Sequence, residues 1–155
     1  MKIILMRHGE AELRPGSDAK RRLSISGEQE VIASAGKIVD RVRPQSIVAS
    51  PYTRAQQTAQ LVRDVWNREI FIDTWDEITP TGNCALVRDK LVGIASQDIM
   101  LVTHQPFIST FIRYLTGKKI PMATAMVASI NIEVIAEQGG EVEWVEHGAR
   151  DYTND

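Results

Sequence analysis

Residues 3–6 form an unbroken apolar run, Ile-Ile-Leu-Met, between Lys2 and Arg7. A short continuous run of this kind, partly β-branched, suits a strand covered on both faces. It predicts a strand over residues 2–7. Residues 9–25 are polar and carry Pro15, Gly16, Ser17 and Asp18, which reads as a loop. Ser26 with Gln29 three residues later fits a capping box, and Val31, Ala35, Ile38, Val39 and Val42 then recur at helical spacing. That helix ends before Pro44.

The alternation continues. Residues 46–49 read as a second strand, and Ser50-Pro51 as an N-cap with proline at the first helical position. Ala55, Thr58, Ala59, Val62, Val65 and Trp66 share one helical face. Residues 70–73 read as a third strand and 76–83, with Pro80 and Gly82, as a loop. Leu86, Leu91 and Ile94 resume the helical period, and residues 98–103 read as a fourth strand. Ile108, Phe111, Ile112 and Leu115 line another helix, closed by Gly117 and kept from restarting by Pro121. Residues 127–134 and 141–146 read as a strand pair about Gly139-Gly140, and 147–155 as a loose polar tail. Strands alternating with helices, then a hairpin, predict a three-layer α/β/α sandwich. Its sheet should be mainly parallel with an antiparallel edge strand.

Composition narrows the class. A chain of 155 residues with 43% hydrophobic and 25% charged residues fits one globular domain over residues 1–155. Lys plus Arg is 18 against 20 Asp plus Glu, a net charge of −2, so the basic excess of a nucleic-acid binder is absent. The densest basic run, Arg14 with Lys20, Arg21 and Arg22, is either a solvated loop or a contact for an anionic substrate or acidic partner. The single cysteine, Cys84, reads as a small packed side chain and permits no internal disulfide. No apolar stretch reaches the roughly 20 residues needed to span a bilayer. The expected setting is cytoplasmic, with no membrane partner.

In an open α/β sheet, ligands bind beyond the carboxyl ends of the strands. Arg7 and His8 end the first strand, Ser50 to Arg54 end the second and open a helix, and His104 ends the fourth. A helix N-terminus favours an anion, and Arg7 and Arg54 add guanidinium grips. Neutral histidine in such a cradle can act as a nucleophile. Taken singly, His8 and His104 could serve only as partners of backbone carbonyls, and Arg54 as a solvated helix residue. Their joint placement at strand ends points to a phosphate pocket. With three histidines in all, and His147 in the polar C-terminal region, a metal site is not expected. No cofactor is implied.

Arg7-His8-Gly9-Glu10, the segment Ser50-Pro51-Tyr52-Thr53-Arg54-Ala55-Gln56-Gln57-Thr58-Ala59, and Thr103-His104 together resemble the motifs of the histidine phosphatase superfamily, with its phosphoglycerate-mutase-like fold. Trp75 to Asn83 resembles the E-L-T-P-x-G segment of the short, SixA-type phosphohistidine phosphatases, with Ile78 in place of leucine. The resemblance implies a phosphate pocket of Arg7, His8, Arg54 and His104, with His8 becoming phosphorylated; in the transfer step a protonated His104 would help Arg7 and Arg54 stabilise the equatorial oxygens. A backbone carbonyl near Gly9 would hold the other ring nitrogen of His8. Glu77 falls where wider relatives keep a proton donor, and would need partial desolvation to stay protonated. Asp18 and solvent are the alternative donors. The short segment 73–83 leaves no room for a large cap, so the crevice should be open enough for a side chain on a folded protein. The expected function is hydrolysis of phosphohistidine on a phosphorelay protein. The rival readings are a small-molecule phosphomonoesterase and a non-catalytic phosphohistidine binder.

Overall fold

The structure, a computed structural model, describes residues 1–94 and 96–148. In chain order the elements are β1 (Lys2–Arg7), α1 (Ile25–Ile38), β2 (Ser46–Ala49), α2 (Thr53–Trp66), β3 (Phe71–Thr74), α3 (Cys84–Val92), β4 (Ile99–Thr103), α4 (Phe107–Thr116), β5 (Val127–Ile132) and β6 (Gly140–Glu146). The strands form one sheet in the order β3-β2-β4-β1-β5-β6. β1 pairs with β4, β4 with β2, and β2 with β3, all parallel. β5 runs antiparallel to β1, and β6 antiparallel to β5.

The apolar runs of β1 and β4 are buried throughout, because helices cover both sheet faces. Alternate side chains divide between the two faces. Ile3, Leu5, Ile99 and Leu101 pack with Val87 and Leu91 of α3 and with Ile108, Phe111 and Ile112 of α4. Ile4, Met6, Met100 and Val102 pack with Val31, Ala35 and Ile38 of α1 and with Ala55, Ala59 and Val62 of α2. The result is the expected three-layer α/β/α sandwich. β3 at one edge is largely exposed, which is why its sequence alternates weakly and its bounds shift by one residue from those read above.

Two helix starts differ from the sequence reading. α1 is capped by Ser24, whose Oγ accepts the Gly27 N–H at 2.9 Å, and not by Ser26. The Ser24 N–H donates to the Glu10 carbonyl at 3.0 Å, so a long-range contact selects one of two nearby serines. α2 is capped by Tyr52 without a side-chain bond, and Pro51 lies before it. The Ser50 hydroxyl accepts the Tyr52 N–H at 3.2 Å and bonds to His104 instead of capping the helix.

The C-terminal reading also needs correction. His147 is buried, with 4% of its surface exposed, and its Nε2 donates to the Thr124 carbonyl at 2.8 Å. The following Gly148 N–H donates to Ser34 Oγ at 3.0 Å, so the chain is anchored at 147–148. Residues 149–155 of the expected loose tail lie outside the described residues.

Gly27 permits the close approach of α1 to the segment after β1. A Cβ at this position would lie 2.0 Å from the Glu10 carbonyl oxygen. Helix propensity alone favours alanine over glycine by about 1 kcal/mol. Here the clash with backbone dominates, so Gly27→Ala should lower the melting temperature and disturb the Arg7–Glu10 segment. A melting temperature equal to or above the parent's would show that Glu10 gives way freely.

Candidate active site

The pocket is built where β1 and β4 end level and β2 ends one residue short of them. Arg7 is paired with Thr103, and Ala49 with Val102, in the parallel registers. One residue further, the His8 N–H donates to the Thr103 carbonyl and the Ser50 N–H to the Val102 carbonyl, both at 3.1 Å. His8, Ser50 and His104 therefore leave the sheet side by side. The His8 and His104 ring centroids are 4.9 Å apart, and Tyr52 packs its ring against His104 at 4.9 Å.

The Nδ1 of His8 lies 2.6 Å from the Gly9 carbonyl. A carbonyl only accepts, so Nδ1 carries the proton and the lone pair sits on Nε2. This is the contact expected of a carbonyl near Gly9. The Nε of Arg54 donates to that lone pair at 3.2 Å. Arg54, from the first turn of α2, is 5% exposed, and its two terminal nitrogens bond to Asp18. Arg7 bonds the Met122 carbonyl through Nη1 at 2.9 Å, while its buried Nε has no hydrogen-bond partner among the described residues.

The Nε2 of His104 is 2.7 Å from Ser50 Oγ. The other ring nitrogen of His104, Nδ1, is buried and has no partner among the described residues. The pocket thus holds two buried polar nitrogens, Arg7 Nε and His104 Nδ1, with no hydrogen-bond partner among the described residues. Such groups are costly unless a ligand completes them.

Burial sets the charge state. It lowers His8 to about 4, reinforced by the positive charges of Arg54, Arg7 and Arg21 and opposed by the bond to Gly9. It lowers His104 to about 2, with His8 and Arg54 adding to the effect. Both rings are neutral at neutral pH in the unliganded pocket. The protonated His104 expected during phosphoryl transfer is therefore not the state of the empty pocket. Arg7 is lowered by burial and by Arg54, with Glu30 opposing.

The two candidate proton donors stand differently. Asp18 reaches the pocket: it holds Arg54 at 3.1 Å and Arg21 at 3.0 Å, and these bonds lower its carboxyl below the usual range. Glu77 is lowered chiefly by a bond from its own backbone N–H and by Lys90, whose Nζ is 3.1 Å away. Its carboxylate pairs with α3 and has no hydrogen bond to His8, Arg54 or His104. Neither carboxyl is held protonated: Glu77 is partly desolvated, as expected, and this raises its carboxyl, but its own backbone N–H and Lys90 outweigh the effect. Of the basic run, Arg21 is drawn inward onto Asp18 and the Glu12 carbonyl. Cys84 is half-buried against the α4-side core, where burial pushes its thiol up. No three His, Cys, Asp or Glu side chains gather as a metal site among the described residues.

Sequence reading missed Thr58 as a pocket support. Its Oγ1 accepts the Gly9 N–H at 3.2 Å and donates to the Arg54 carbonyl at 2.8 Å, joining the two motifs. Its place four residues after Arg54 on a buried helix face was the available signal. Thr103, read as a strand end and motif position without a role of its own, donates through Oγ1 to the Ile78 carbonyl at 2.6 Å and ties down the 75–83 segment.

Fold and pocket together describe an α/β protein with two histidines and two guanidiniums gathered at the ends of its central strands. Residues 3–79 match the histidine phosphatase superfamily (branch 1). Two curated relatives are each 29% identical: the phosphohistidine phosphatase SixA of Escherichia coli, covering 86% of each chain, and the SixA homolog of Haemophilus influenzae, covering 79% of this chain and 82% of that one. Among solved structures, the protein histidine phosphatase SixA complexed with tungstate superposes with a TM-score of 0.87 at 25% identity, over 96% of this chain and 98% of that one. The α-ribazole phosphatase of Shigella flexneri shares the fold, with a TM-score of 0.76 at 18% identity over 99% and 100% of the two chains. The chain belongs to the histidine phosphatase superfamily and is a hydrolase.

The lowered histidines make a linkage prediction. An unfolded histidine protonates near 6.5, whereas native His8 resists protonation down to about 4 and native His104 down to about 2. Between these values the unfolded chain binds more protons, so stability falls as pH falls. Each histidine contributes at most about 1.4 kcal/mol per pH unit in that window. Urea melts from pH 7 to pH 4 should show a shallower decline for a His8→Asn, His104→Gln variant than for the parent. Parallel declines would mean that the two rings protonate freely in the folded state.

Proposed function

We propose that this chain is a phosphohistidine phosphatase that acts on a phosphohistidine-bearing protein, such as a histidine phosphotransfer protein of a phosphorelay. His8 serves as the transient phosphoryl acceptor. The observation that carries the chemistry is the 2.6 Å contact of His8 Nδ1 with the Gly9 carbonyl, which leaves an Nε2 lone pair beside the Arg54 guanidinium. The names of the SixA relatives support the substrate class. The low 75–83 segment, which contains only a single 3-10 turn at Asp76–Ile78, supports an open mouth that admits a side chain on a folded partner.

In the first step the His8 Nε2 lone pair forms the new N–P bond as the substrate's P–N bond breaks. The departing imidazole takes its proton from solvent. Arg7, Arg54 and His104 supply donors to the equatorial oxygens, where positioning and electrostatics carry most of phosphoryl transfer. The dianion raises the proton affinity of His104, so a ring neutral in the empty pocket gains charge as substrate binds. In the second step water attacks phospho-His8, the Nε2–P bond breaks, and inorganic phosphate leaves.

Glu77, ionised in the resting site, suits acceptance of a proton from the attacking water. To donate to an ester leaving group it must first gain a proton.

Phosphate release from a phosphohistidine-bearing protein, measured beside common phosphomonoesters, tests the reading. A preference for the phosphoprotein is expected. A preference for the esters would favour a small-molecule phosphatase on the same fold. His8→Ala should fold and lose turnover, and rapid acid-free quenching of the parent should trap phospho-His8. Failure to trap it with any activated donor would leave a phosphohistidine-binding protein without turnover. Glu77→Gln should impair ester hydrolysis more than phosphohistidine hydrolysis, because an alkoxide needs a proton more than imidazole does. Equal losses would count against a proton-transfer role for Glu77.

A further inference from the structure

Asp18 lies in the segment that sequence reading left as a loop, yet it makes a two-point contact with the most buried cation of the pocket. Its backbone carbonyl accepts from Arg54 Nη1 at 2.7 Å, and its Oδ2 accepts from Nη2 at 3.1 Å. The Nη1–Nη2 end of the guanidinium is therefore fully occupied. The other edge, formed by Nε–H and the second Nη2 hydrogen, is the edge that meets His8, with Nε 3.2 Å from His8 Nε2. A guanidinium offers two hydrogen-bonding edges, and Asp18 decides which one faces the nucleophile.

Asp18 is itself held. Arg21 donates from Nη1 to Asp18 Oδ1 at 3.0 Å and from Nε to the Glu12 carbonyl at 2.9 Å. Asp18 starts a single 3-10 turn, Asp18–Lys20, and the strand-like bridge between Ala11 and Leu23 closes the loop around it. The Leu23 N–H in turn donates to Gln57 on α2 at 2.8 Å. The loop is fixed to the same helix that carries Arg54.

We propose that Asp18 is a positioning residue that clamps the Nη1–Nη2 end of Arg54, so that its Nε–Nη2 edge faces His8 and meets two oxygens of the transferred phosphoryl group. Asp18 touches neither the substrate nor the reacting nitrogen. Its effect passes through Arg54 and is the same for any phosphoryl donor. It rests on the reading of His8 and Arg54 as the phosphoryl site and is independent of whether that donor is phosphohistidine or an ester.

The test is Asp18→Asn, which keeps the backbone contact and removes the carboxylate, with Asp18→Glu as the conservative partner. Turnover is read on a phosphohistidine protein and on p-nitrophenyl phosphate, and binding as inhibition by inorganic phosphate. Asp18→Asn should lower kcat/KM about tenfold on both substrates, as expected for a lost bond to a charged group. It should weaken phosphate inhibition by a similar factor and leave the melting temperature within a degree or two. Asp18→Glu should recover part of the loss. In an Arg54→Ala background the Asp18→Asn change should have no further effect on phosphate binding, because the two residues act as one unit.

Tighter phosphate binding in Asp18→Asn would overturn the proposal by making Asp18 a competitor of the anion. Unchanged turnover and binding, or losses that add independently to those of Arg54→Ala, would overturn it as well. If the parent released phosphate from the ester only, the phosphohistidine reading would fail while the Asp18 comparison still held.

Discussion

The hydrogen bonds from His8 N–H to the Thr103 carbonyl and from Ser50 N–H to the Val102 carbonyl carry the parallel ladder one residue past β1 and β2. This extension depends on register. β1, β4 and β2 are adjacent at the middle of the sheet, with Arg7 opposite Thr103 and Ala49 opposite Val102. A slip of one residue in β4 would turn His104 toward the opposite face and bury the wrong half of Ile99 to Val102. The two apolar clusters, one on each face, hold that register. Core packing and pocket geometry are therefore one constraint: the alternation that divides Ile3 and Leu5 from Ile4 and Met6 also aligns the two histidines.

Electrostatics follows from that placement. Arg7, Arg54, His8 and His104 are brought together at the end of a buried sheet, where water solvates them poorly. The two histidines respond by staying neutral. The guanidiniums cannot lose charge, so they draw on carbonyls of Met122 and Asp18 and on the Asp18 carboxylate. What remains is a pocket with unpartnered nitrogens at Arg7 Nε and His104 Nδ1. The fold has already met the cost of burying these polar groups, so a ligand that pairs with them needs little reorganisation. The same surplus of positive character suits a neutral His8 ring with its proton fixed on Nδ1 by the Gly9 carbonyl.

The layer order, both helix-covered faces and the strand ends were legible because each rests on local periodicity: continuous apolar runs for β1 and β4, 3.6-residue spacing for α2 and α4. The misreadings share a different cause. Ser24 and Ser26 are equally good caps by local pattern, and the Glu10 carbonyl, distant in sequence, selects the first. Ser50 looked like a cap because Pro51 follows it, yet its hydroxyl is used by His104. His147 looked loose because its neighbours are polar, but Thr124 and Ser34 anchor its end of the chain. The neutral state of His104 in the empty pocket comes first from burial, which its place at a strand end does not measure. Glu77 was placed by motif alignment, and its ion pair with Lys90 comes from α3, outside that motif.

The loop after β1 changes how the short chain length should be understood. On one side of the pocket the 75–83 segment is pulled down by Thr103 and adds little cover. On the other side, residues 11–23 are closed by the Ala11–Leu23 bridge and joined to α2 through Gln57 and Arg54. Part of the pocket's charge balance therefore resides in a surface loop and not in the core. A partner that pressed on this loop would act on Arg54 through Asp18, and through Arg54 on the His8 lone pair. Only a few hydrogen bonds thus separate this exposed loop from the Nε2 of His8, which makes the surface around Asp18 and the buried end of the sheet one connected unit.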